Sequence, residues 1–494
     1  MAMFPCRWWR RSRFTRPSDE FNFMLGLFGT LNLAARSLQT QMTGVEVTGQ
    51  NLANVNTTGY SRQRVQISAS PDLVTGIGPE GTGANATSIQ QIVSNLLNTQ
   101  IQSQGSSGGY WNAQQSALQS AQNALGEFLN GSGATTSTSA TTTDTTGSGL
   151  STQLNDFFSA LSSSASDSNN QAAIGAAQKL ATTFNNINSQ FGDVRTGLNK
   201  SLTNDVDSAN KLLTDIAGLN QQISASEFGG GSANNLRDER EQDLENLAQL
   251  TSVTTSTGTN GAVNVTVGGQ TLVSGNAVSD TLQTYDAGGG QLLVRTTSGG
   301  VNLTLTGGSL QGTIDARDGT LATMQNSVNT LAGALITQVN TLHNGGYNST
   351  GGTGNTFFTG SDAATIGVNV ALKNNASLLQ LSSSATLSGD TSLALKISQL
   401  STAAQAALGN QTFTGSYAAT VAGLGDALNT ANSEVTVATA KANMLTTQRG
   451  SVSGVNVDEE MTNMITFQRA YQASAQVVTT VNTMLAELLA MKTS

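Results

Sequence analysis

Residues 461–489 have the sequence MTNMITFQRAYQASAQVVTTVNTMLAELL, in which apolar side chains recur every three or four positions. This heptad spacing predicts a long helix with a single apolar stripe. Asn456 or Asp458 can cap the start of that helix, and the acidic residues 458–460 suit the positive end of the helix dipole. The C-terminal stripe consists of Met464, Phe467, Tyr471, Val478, Val481, Leu485 and Leu488, with the small Ser474 as its exception.

A second stripe with the same spacing lies near the start of the chain. Neither stripe has a packing partner nearby in the sequence, so the natural partner of each helix is the other. An ordinary helical hairpin and a coiled coil that also packs against neighbouring subunits both agree with this periodicity. Glycines at 26, 29, 44 and 49 disfavour the first helix by up to about 1 kcal/mol each, so we expect it to become ordered on assembly. The N-terminal stripe consists of Met24, Leu27, Leu31, Ala34, Leu38, Val45, Leu52 and Val55, interrupted by Gln41 and Thr48.

The periodicity between the two stripes changes from helical to alternating and back. Alternating apolar residues predict a strand at 64–70 and a β region over 251–306. By composition, residues 130–149 are a flexible Ser/Thr/Gly-rich loop, whereas 344–387 combine loops with short strands before helices resume. Helical spacing predicts helices over 88–129, with a break at 105–109, and over 150–226, 234–250 and 310–342.

These patterns predict a mainly α fold with a β insertion (α+β). The N- and C-terminal helices pair as a coiled coil, and a long helical stalk domain carries a β-rich outer domain. The predicted divisions are a terminal coiled-coil domain of residues 24–60 with 455–494, a helical stalk domain of 61–250 with 307–343 and 388–454, a β domain of 251–306, and an insertion of loops and short strands at 344–387.

The first 23 residues differ in composition from the rest of the chain, with five arginines, the Trp8-Trp9 pair and the single cysteine. A secretory signal needs an apolar stretch of about 7–15 residues after its basic start, but here residues 16–20 are Arg-Pro-Ser-Asp-Glu. The same deficiency argues against a twin-arginine signal at Arg10-Arg11. We interpret residues 1–23 as a non-native extension from an upstream start codon, with Met24 as the true start. A short basic functional arm is the alternative.

Composition excludes several classes of function. The formal net charge of −9 lacks the positive surface that binds phosphate backbones, so we expect no nucleic-acid partner. One cysteine and one histidine provide neither a disulfide framework nor a zinc site, and no cofactor is predicted. No stretch approaches the 18 or so apolar residues of a membrane span, so we expect no membrane insertion.

Three local motifs could suggest an enzyme, and each has a simpler explanation. Residues 76–81 match G-x-G-x-x-G, but no acidic residue follows before Glu127, so the run is interpreted as a loop. His343 has no neighbouring nucleophile or metal partner and is expected to pack, or to face solvent, at a helix end. The mixed charges of residues 237–241 are typical of a solvated helix face with local ion pairs. Enzyme is therefore rejected as the leading class.

Several stretches resemble a known family. Residues 51–62, NLANVNTTGYSR, resemble the N-terminal signature of bacterial flagellar rod, hook and hook-associated proteins. Residues 453–461, SGVNVDEEM, and 467–471, FQRAY, resemble their C-terminal counterpart. Residues 234–240, NNLRDER, and 307–312, GGSLQG, resemble internal stretches of the hook-associated members. The resemblance covers most of the chain from Met24 onward.

The resemblance implies a non-enzymatic structural adaptor at the junction between the flagellar hook and filament. It implies an extracellular subunit, exported unfolded through the flagellar type III apparatus without a cleaved signal peptide. The implied partners are further copies of this chain in a ring, the hook protein below, the next hook-associated protein above, and an export chaperone on the C-terminal helix. The modest length of residues 344–390 leaves little room for the additional outer domain that some members carry.

The two apolar stripes supply the candidate residues for an assembly interface, because heptad positions that are not satisfied locally suit packing between subunits. Two other classes stay open. One is another axial subunit, a hook or rod protein, and the other is a secreted adhesin-like surface protein, suggested by the Ser/Thr/Gly bias and the β insertion. The candidate interface residues are Leu27, Leu31, Leu38, Val45, Leu52, Tyr471, Val478, Val481, Leu485 and Leu488.

Overall fold

A computed structural model describes residues 26–75, 78–125, 149–167, 170–387 and 389–493. The described residues are mostly helical with small antiparallel sheets, which confirms the mainly α character of the predicted fold. The chain divides into two compact units, a terminal unit of Met1–Val93 with Val452–Ser494 and a central unit of Ser94–Ser451. The predicted extension at 1–23, the start at Met24 and nearly all of the predicted 130–149 loop lie outside the described residues.

The elements follow one another in the order helix, strands, helices, strands, helices. The helices are α1 Leu27–Ala53, α2 Asn95–Leu125, α3 Leu150–Asp167, α4 Asn170–Glu227, α5 Asn234–Leu250, α6 Gly308–Asp315, α7 Ala322–Asn344, α8 Val370–Asn374, α9 Ser392–Gln399, α10 Phe413–Ser453 and α11 Val457–Thr493. The strands are β1 Gln63–Ala69, β2 Leu73–Thr75, β3 Gly78–Glu80, β4 Ala84–Gln91, β5 Val253–Thr257, β6 Val263–Val267, β7 Gln270–Ser274, β8 Ala277–Val278, β9 Leu282–Asp286, β10 Leu292–Thr296, β11 Phe358–Thr359 and β12 Gly367–Val368. A π-helical segment, Ala316–Leu321, joins α6 to α7.

The terminal unit combines α1, α11 and a long β-hairpin. α1 and α11 pack against each other, and α1 also packs on β1 and β4. β1 and β4 pair antiparallel, with a register shift after Gln66, and β2 and β3 pair at the far end of the hairpin. The Asn456 Oδ1 accepts hydrogen bonds from the backbone N–H groups of Asp458 (3.0 Å) and Glu459 (3.3 Å) at the start of α11. Of the two residues predicted to cap this helix, Asn456 and Asp458, the structure uses Asn456.

The helices of the central unit share a core rich in phenylalanine. Five rings, from α3, β11, α10 and the residue before β11, lie in a connected group with centroids 4.8–5.8 Å apart. Edge-to-face and tilted arrangements of this kind add to the free energy gained by burying the rings. α10 contributes one buried residue per heptad. The rings are Phe157, Phe158, Phe357, Phe358 and Phe413, and the buried heptad positions of α10 are Leu424, Ala431, Ala438 and Leu445.

The strands of residues 253–296 pack on α4, which holds them with uncharged side chains. Asn220 is fully buried; its Nδ2 donates to the carbonyl oxygens of Val263 (2.8 Å) and Gly275 (2.7 Å). Nearer the start of α4, the Asn210 Nδ2 donates to the Leu282 carbonyl oxygen, and the Asn210 Oδ1 accepts from the Leu282 N–H, at 2.8 Å each. Amide side chains thus hold the β segments on the helix, in keeping with a chain that has only 11% charged residues.

The helix predicted over 88–129 differs from the structure in two respects. Residues 84–91 form β4, and α2 starts at Asn95. The predicted break at 105–109 is wrong, because α2 continues through these glycines. A Cβ at Gly109 would overlap the carbonyl oxygen of Gln249 at the end of α5. The glycines therefore allow α2 and α5 to approach closely, and they do not end α2.

The structure also groups segments differently from the predicted domains. Residues 61–93, placed by the sequence in the helical stalk domain, belong to the compact terminal unit, which therefore extends beyond residue 60. Strands of the predicted β domain at 251–306 share a core with α4 and α5 within the central unit. The predicted insertion at 344–387 contains β11, β12 and the short helix α8.

Candidate assembly surface

The turn after α1 is tied to the start of α11 by hydrogen bonds among Asn51, Tyr60, Arg62, Glu459 and Glu460, here called the terminal clasp. Asn51 is fully buried, and its Nδ2 donates to the Glu460 Oε2 (3.1 Å) and to the Gln63 carbonyl oxygen (2.8 Å). Its Oδ1 accepts from the Tyr60 hydroxyl and from the Gln63 N–H, both at 2.9 Å. Every polar atom of this buried amide therefore has a partner.

Arg62 supplies the charged part of the terminal clasp. Its Nε donates to the Glu460 Oε1 (2.7 Å), and its Nη1 and Nη2 donate to the two carboxylate oxygens of Glu459 at 3.0 and 2.7 Å. These bonds, first of all those to Glu459, raise the pKa of Arg62, and the guanidinium lowers the pKa of Glu459. Glu460 is only 1% exposed, so its charge depends on Arg62 and Asn51 for stabilisation.

The terminal clasp explains the two stretches that carry the family resemblance. Asn51, Tyr60 and Arg62 come from residues 51–62, and Glu459 and Glu460 come from residues 453–461. The sequence motifs alone assign no role to these side chains, so the clasp was not predicted. The available signal was the presence of four charged residues, Arg62, Asp458, Glu459 and Glu460, in two short motifs from a chain that is only 11% charged.

Beyond the clasp, α1 and α11 approach closely through small residues. An ideal Cβ at Gly44 would lie 2.6–2.8 Å from the ring of Phe467, so only glycine fits there without a shift. The Ser37 and Ser474 hydroxyls form a hydrogen bond of 2.8 Å, which explains the polar exception in the C-terminal stripe. Thr48, an exception in the N-terminal stripe, is buried and bonds to the Gly44 carbonyl oxygen at 2.9 Å.

The candidate interface residues all lie on α1 or α11, but with different exposure. Val481 is buried (4% exposed), whereas Tyr471 and Leu488 are 41% and 53% exposed. The structure thus uses part of the heptad pattern for packing within the chain. Whether these residues also contact neighbouring subunits stays a prediction. The half-buried members are Leu27, Leu31, Leu38, Val45, Leu52, Val478 and Leu485.

The outer surface of α11 carries a further set of exposed apolar side chains. Near the start of α1, this surface borders an open groove of about 600 Å³, here called the terminal groove. Exposed apolar surface of this extent on a charge-poor helix is typical of a protein–protein contact. The lining residues of the terminal groove are Leu27, Thr30, Ala473, Gln476, Val477, Thr480, Val481 and Met484. The other exposed apolar residues of α11 are Val457, Met461, Ile465, Tyr471, Leu488, Leu489 and Met491.

The enzyme-like motifs of the sequence have structural explanations. Gly76 and Ile77 lie outside the described residues. Residues 78–80 of the G-x-G-x-x-G run form strand β3 and not the predicted loop, whereas a dinucleotide site needs a helix start there. Among the described residues, no group of three or more His, Cys, Asp or Glu side chains could hold a metal ion. No helix in the same ranges is long and apolar enough to cross a membrane.

The charged run at 237–241 is only partly a solvated face. Arg237 forms a partly exposed ion pair (2.8 Å) with Glu227 at the end of α4, and not with a neighbour in its own run as predicted. Arg240 is instead buried, and its Nη1 donates to the Asn220 Oδ1 (2.9 Å) and the Gly261 carbonyl oxygen (2.7 Å). Burial lowers the pKa of Arg240 to about 10. Its position between α4 and the β5–β6 turn indicates a structural role.

His343, the single histidine, is fully buried at the end of α7. Its Nε2 accepts from the Gln380 N–H at 3.0 Å, so Nδ1 carries the proton and donates to the Asn355 carbonyl oxygen at 2.7 Å. Its ring lies edge-on to Phe357. Of the two predicted alternatives, packing is therefore correct and exposure to solvent is wrong. Burial lowers the pKa of His343 to about 4.

This burial gives a testable pH dependence. We expect the His343 ring signal in a proton NMR titration to remain at its neutral position until the pH approaches 4. Because the pKa is lower in the folded than in the unfolded state, the contribution of this group to stability is complete above pH 6.5 and is lost between pH 6.5 and 4. A midpoint near 6.5 in the folded protein would contradict the buried, neutral assignment.

Comparison with family models finds matches in the middle of the chain and at its C-terminal end. A family model described as flagellar hook-associated protein FlgK helical domain matches residues 136–358. A second model, flagellar basal body rod FlgEFG protein C-terminal, matches residues 451–491. Among solved structures, the flagellar hook junction protein FlgK from Burkholderia pseudomallei has a TM-score of 0.60 at 18% identity, covering 72% of this chain and 100% of that one. This likeness concerns the fold.

Curated relatives match over nearly the whole chain. Flagellar hook-associated protein 1 of Bacillus subtilis is 27% identical over 506 residues, which cover 92% of this chain and 96% of the relative. The protein of the same name from Salmonella typhimurium is 24% identical over 576 residues, which cover 93% of this chain and 99% of the relative. Together with the terminal motifs and the helical-domain match, these similarities support the resemblance of the chain to flagellar hook-associated protein 1.

Proposed function

We propose that the protein is a structural adaptor subunit at the junction between the hook and the filament of the bacterial flagellum. The observation that carries this proposal is the nearly full-length similarity to hook-associated protein 1 of two bacteria. The solved relative of the same fold is named a flagellar hook junction protein. An adaptor acts through its shape and surfaces, which suits a chain whose enzyme-like motifs have structural explanations.

The terminal helices form a coiled coil within the subunit and present the assembly surface. The heptad spacing of both stripes and the packing of α1 on α11 support this pairing. The side chains best placed to contact a neighbouring subunit are the exposed ones, Tyr471 and Leu488, together with Val477 and Met484 at the terminal groove. The more buried candidates, such as Val481, act indirectly by holding α11 in place.

The partners follow from the proposed position in the flagellum. Further copies of this chain form a ring, which contacts the hook protein on one side and the next hook-associated protein on the other. Before export without a cleaved signal peptide, a chaperone covers the C-terminal helix. The exposed apolar residues of α11 support this step, because such a helix can lie in the groove of a partner.

The experiment is a gene deletion in the source bacterium, complemented with the intact gene, with a gene lacking residues 461–494, or with point variants of α11. Leu488→Lys and Met484→Lys place a charge on the exposed apolar surface, and Thr483→Lys is the control on an exposed polar position of the same helix. Cells are examined for hooks, for filaments and for monomeric filament protein in the medium.

We expect the deletion strain to have hooks, to lack filaments and to release filament protein. The intact gene and the Thr483→Lys control should restore filaments, whereas the truncation and the two apolar-surface variants should not. Normal filaments in the deletion strain would exclude the junction role. A loss of hooks as well would favour the alternative of a rod or hook subunit.

A further inference from the structure

A polar pocket of about 390 Å³ lies in the central unit, between the turn that follows α7 and the loop that precedes α9. The walls contain Tyr347 and Asn348 on one side and Leu379, Leu381, Ser382, residues 384–387 and Asp390 on the other. This volume is at the small end of the range for ligand sites in proteins. The pocket belongs to the segment that the sequence marked as an insertion, and the proposed adaptor function does not use it.

Backbone hydrogen bonds fix the two walls relative to each other. The Tyr347 N–H donates to the Ser382 carbonyl oxygen (2.8 Å), and the Ser382 N–H donates to the Tyr347 carbonyl oxygen (3.1 Å). The turn beside Tyr347 is held by the Asn348 Oδ1, which accepts from the N–H groups of Thr350 (3.0 Å) and Gly352 (2.7 Å). A pocket with walls ordered in advance avoids part of the entropy cost of binding.

Among the polar groups of the lining, the side chains of Asn348 and Tyr347 can donate to a ligand. Asn348 is only 7% exposed, and its Oδ1 is fully engaged, but its Nδ2 has no acceptor among the described residues. The hydroxyl of the half-buried Tyr347 likewise has no side-chain or backbone partner within the described part of the chain. Because the Asn348 Nδ2 is not a buried unsatisfied atom, it remains accessible and can donate to a ligand oxygen.

The charge of the lining selects for a neutral ligand. Among the described lining residues there is no lysine, arginine or histidine, so an anion has no counter-charge. Asp390 is the acidic residue among the described lining residues; it accepts hydrogen bonds from the Ser392 N–H, the Ser383 N–H and the Ser382 hydroxyl. These bonds, first of all that from the Ser392 N–H, hold its pKa below the usual range. Its lone pairs are thus largely used within the loop.

Apolar surface adjoins these polar groups. The ring of Tyr347 and the side chains of Leu381 and Leu387 line the same pocket, and Leu387 is 66% exposed at its rim. A ligand with hydroxyl groups along its edges and C–H groups on its faces matches such a lining. We propose that this pocket binds one neutral sugar unit, a hexose or an N-acetylhexosamine. The inference stands independently of the junction role.

The test uses the purified full chain and ligand-observed saturation-transfer NMR. The probes are glucose, galactose, mannose and N-acetylglucosamine, with glucose 6-phosphate as the charged analogue. For a ligand with about a dozen non-hydrogen atoms at ordinary efficiency, we expect a Kd on the order of 1 mM. At least one neutral sugar should give a saturable signal, and the phosphorylated analogue should bind more weakly.

Variants locate the binding. Asn348→Asp keeps the oxygen that holds the turn but removes the free N–H donor, so we expect affinity to fall about tenfold. Tyr347→Ala should abolish binding and Tyr347→Phe should weaken it. Tyr285→Phe is the matched control on β9, away from the pocket, and should change nothing. Thermal unfolding midpoints show that each variant is folded.

Two results would overturn the proposal. One is the absence of a saturable signal for every neutral sugar at roughly fifty times the expected Kd. The other is sugar binding that persists unchanged in folded Asn348→Asp and Tyr347→Ala proteins, because the site would then lie elsewhere.

Discussion

Replacing Glu460 with glutamine is expected to open the terminal unit, whereas the same replacement at Glu459 should leave it closed. Both carboxylates accept hydrogen bonds from Arg62 at 2.7 Å, so the two variants remove comparable contacts. The Glu460 side chain is 1% exposed and the Glu459 side chain is 55% exposed. Breaking a buried, hydrogen-bonded ion pair costs about 4 kcal/mol, but an exposed pair contributes less than about 1 kcal/mol.

Amide hydrogen exchange measures the difference directly. In the Glu460→Gln protein, exchange in α1 and α11 should accelerate by a factor of several hundred, because a loss of about 4 kcal/mol raises the open population accordingly. Exchange in the phenylalanine-rich core of the central unit should stay unchanged and serves as the internal control. The Glu459→Gln protein should differ from the unsubstituted protein by less than about fivefold. Equal acceleration in the two variants would show that burial does not determine the strength of the clasp.

The secondary structure was largely predictable from the sequence because burial leaves a local pattern. The alternating valines at 263, 265 and 267 correspond to β6, and the heptad stripes correspond to α1 and α11. Each of these patterns is contained within one element, so it needs no knowledge of the partner. The cap at Asn456 was predictable for the same reason.

The terminal clasp was not predictable by such reasoning. Arg62 and Glu460 are 398 positions apart in the sequence, and neither residue belongs to a periodic pattern. Arg240 shows the same difficulty, because its charge in a mixed run suggested a solvated face. In the structure its guanidinium is buried against Asn220 and the Gly261 carbonyl oxygen. A charged side chain can be solvated or buried, and only its tertiary partners decide between the two.

The interface candidates illustrate what periodicity leaves open. A heptad stripe shows that a helix buries one face, but not whether the covering helix belongs to the same chain or to a neighbour. Val481 is covered within the chain, whereas Leu488 on the same stripe remains exposed. The assembly surface proposed above therefore combines stripe residues with exposed positions outside the stripe, such as Met484.

A glycine in a helix can weaken that helix or can allow a neighbouring helix to approach closely. Two glycines of α1 distinguish these two roles. Gly44 and Gly49 lie in the same helix, and the sequence treats both as residues that weaken it. A Cβ at Gly49 has nothing within 4 Å, so Gly49→Ala should stabilise the terminal unit by up to about 1 kcal/mol. A Cβ at Gly44 would lie 2.6–2.8 Å from the Phe467 ring, so Gly44→Ala should destabilise it by about 2–3 kcal/mol.

Urea unfolding of the two alanine variants, followed by amide exchange in α1 and α11, tests this prediction. Because alanine favours a helix equally well at either position, opposite effects would show that α1 and α11 must approach closely at Gly44. A double variant, Gly44→Ala with Phe467→Leu, separates the clash from other causes, since the smaller side chain leaves room for the new methyl group. Its loss of stability should be smaller than the sum of the two single losses. Stabilisation by Gly44→Ala would instead mean that helix propensity limits α1 and that the close contact with Phe467 contributes little.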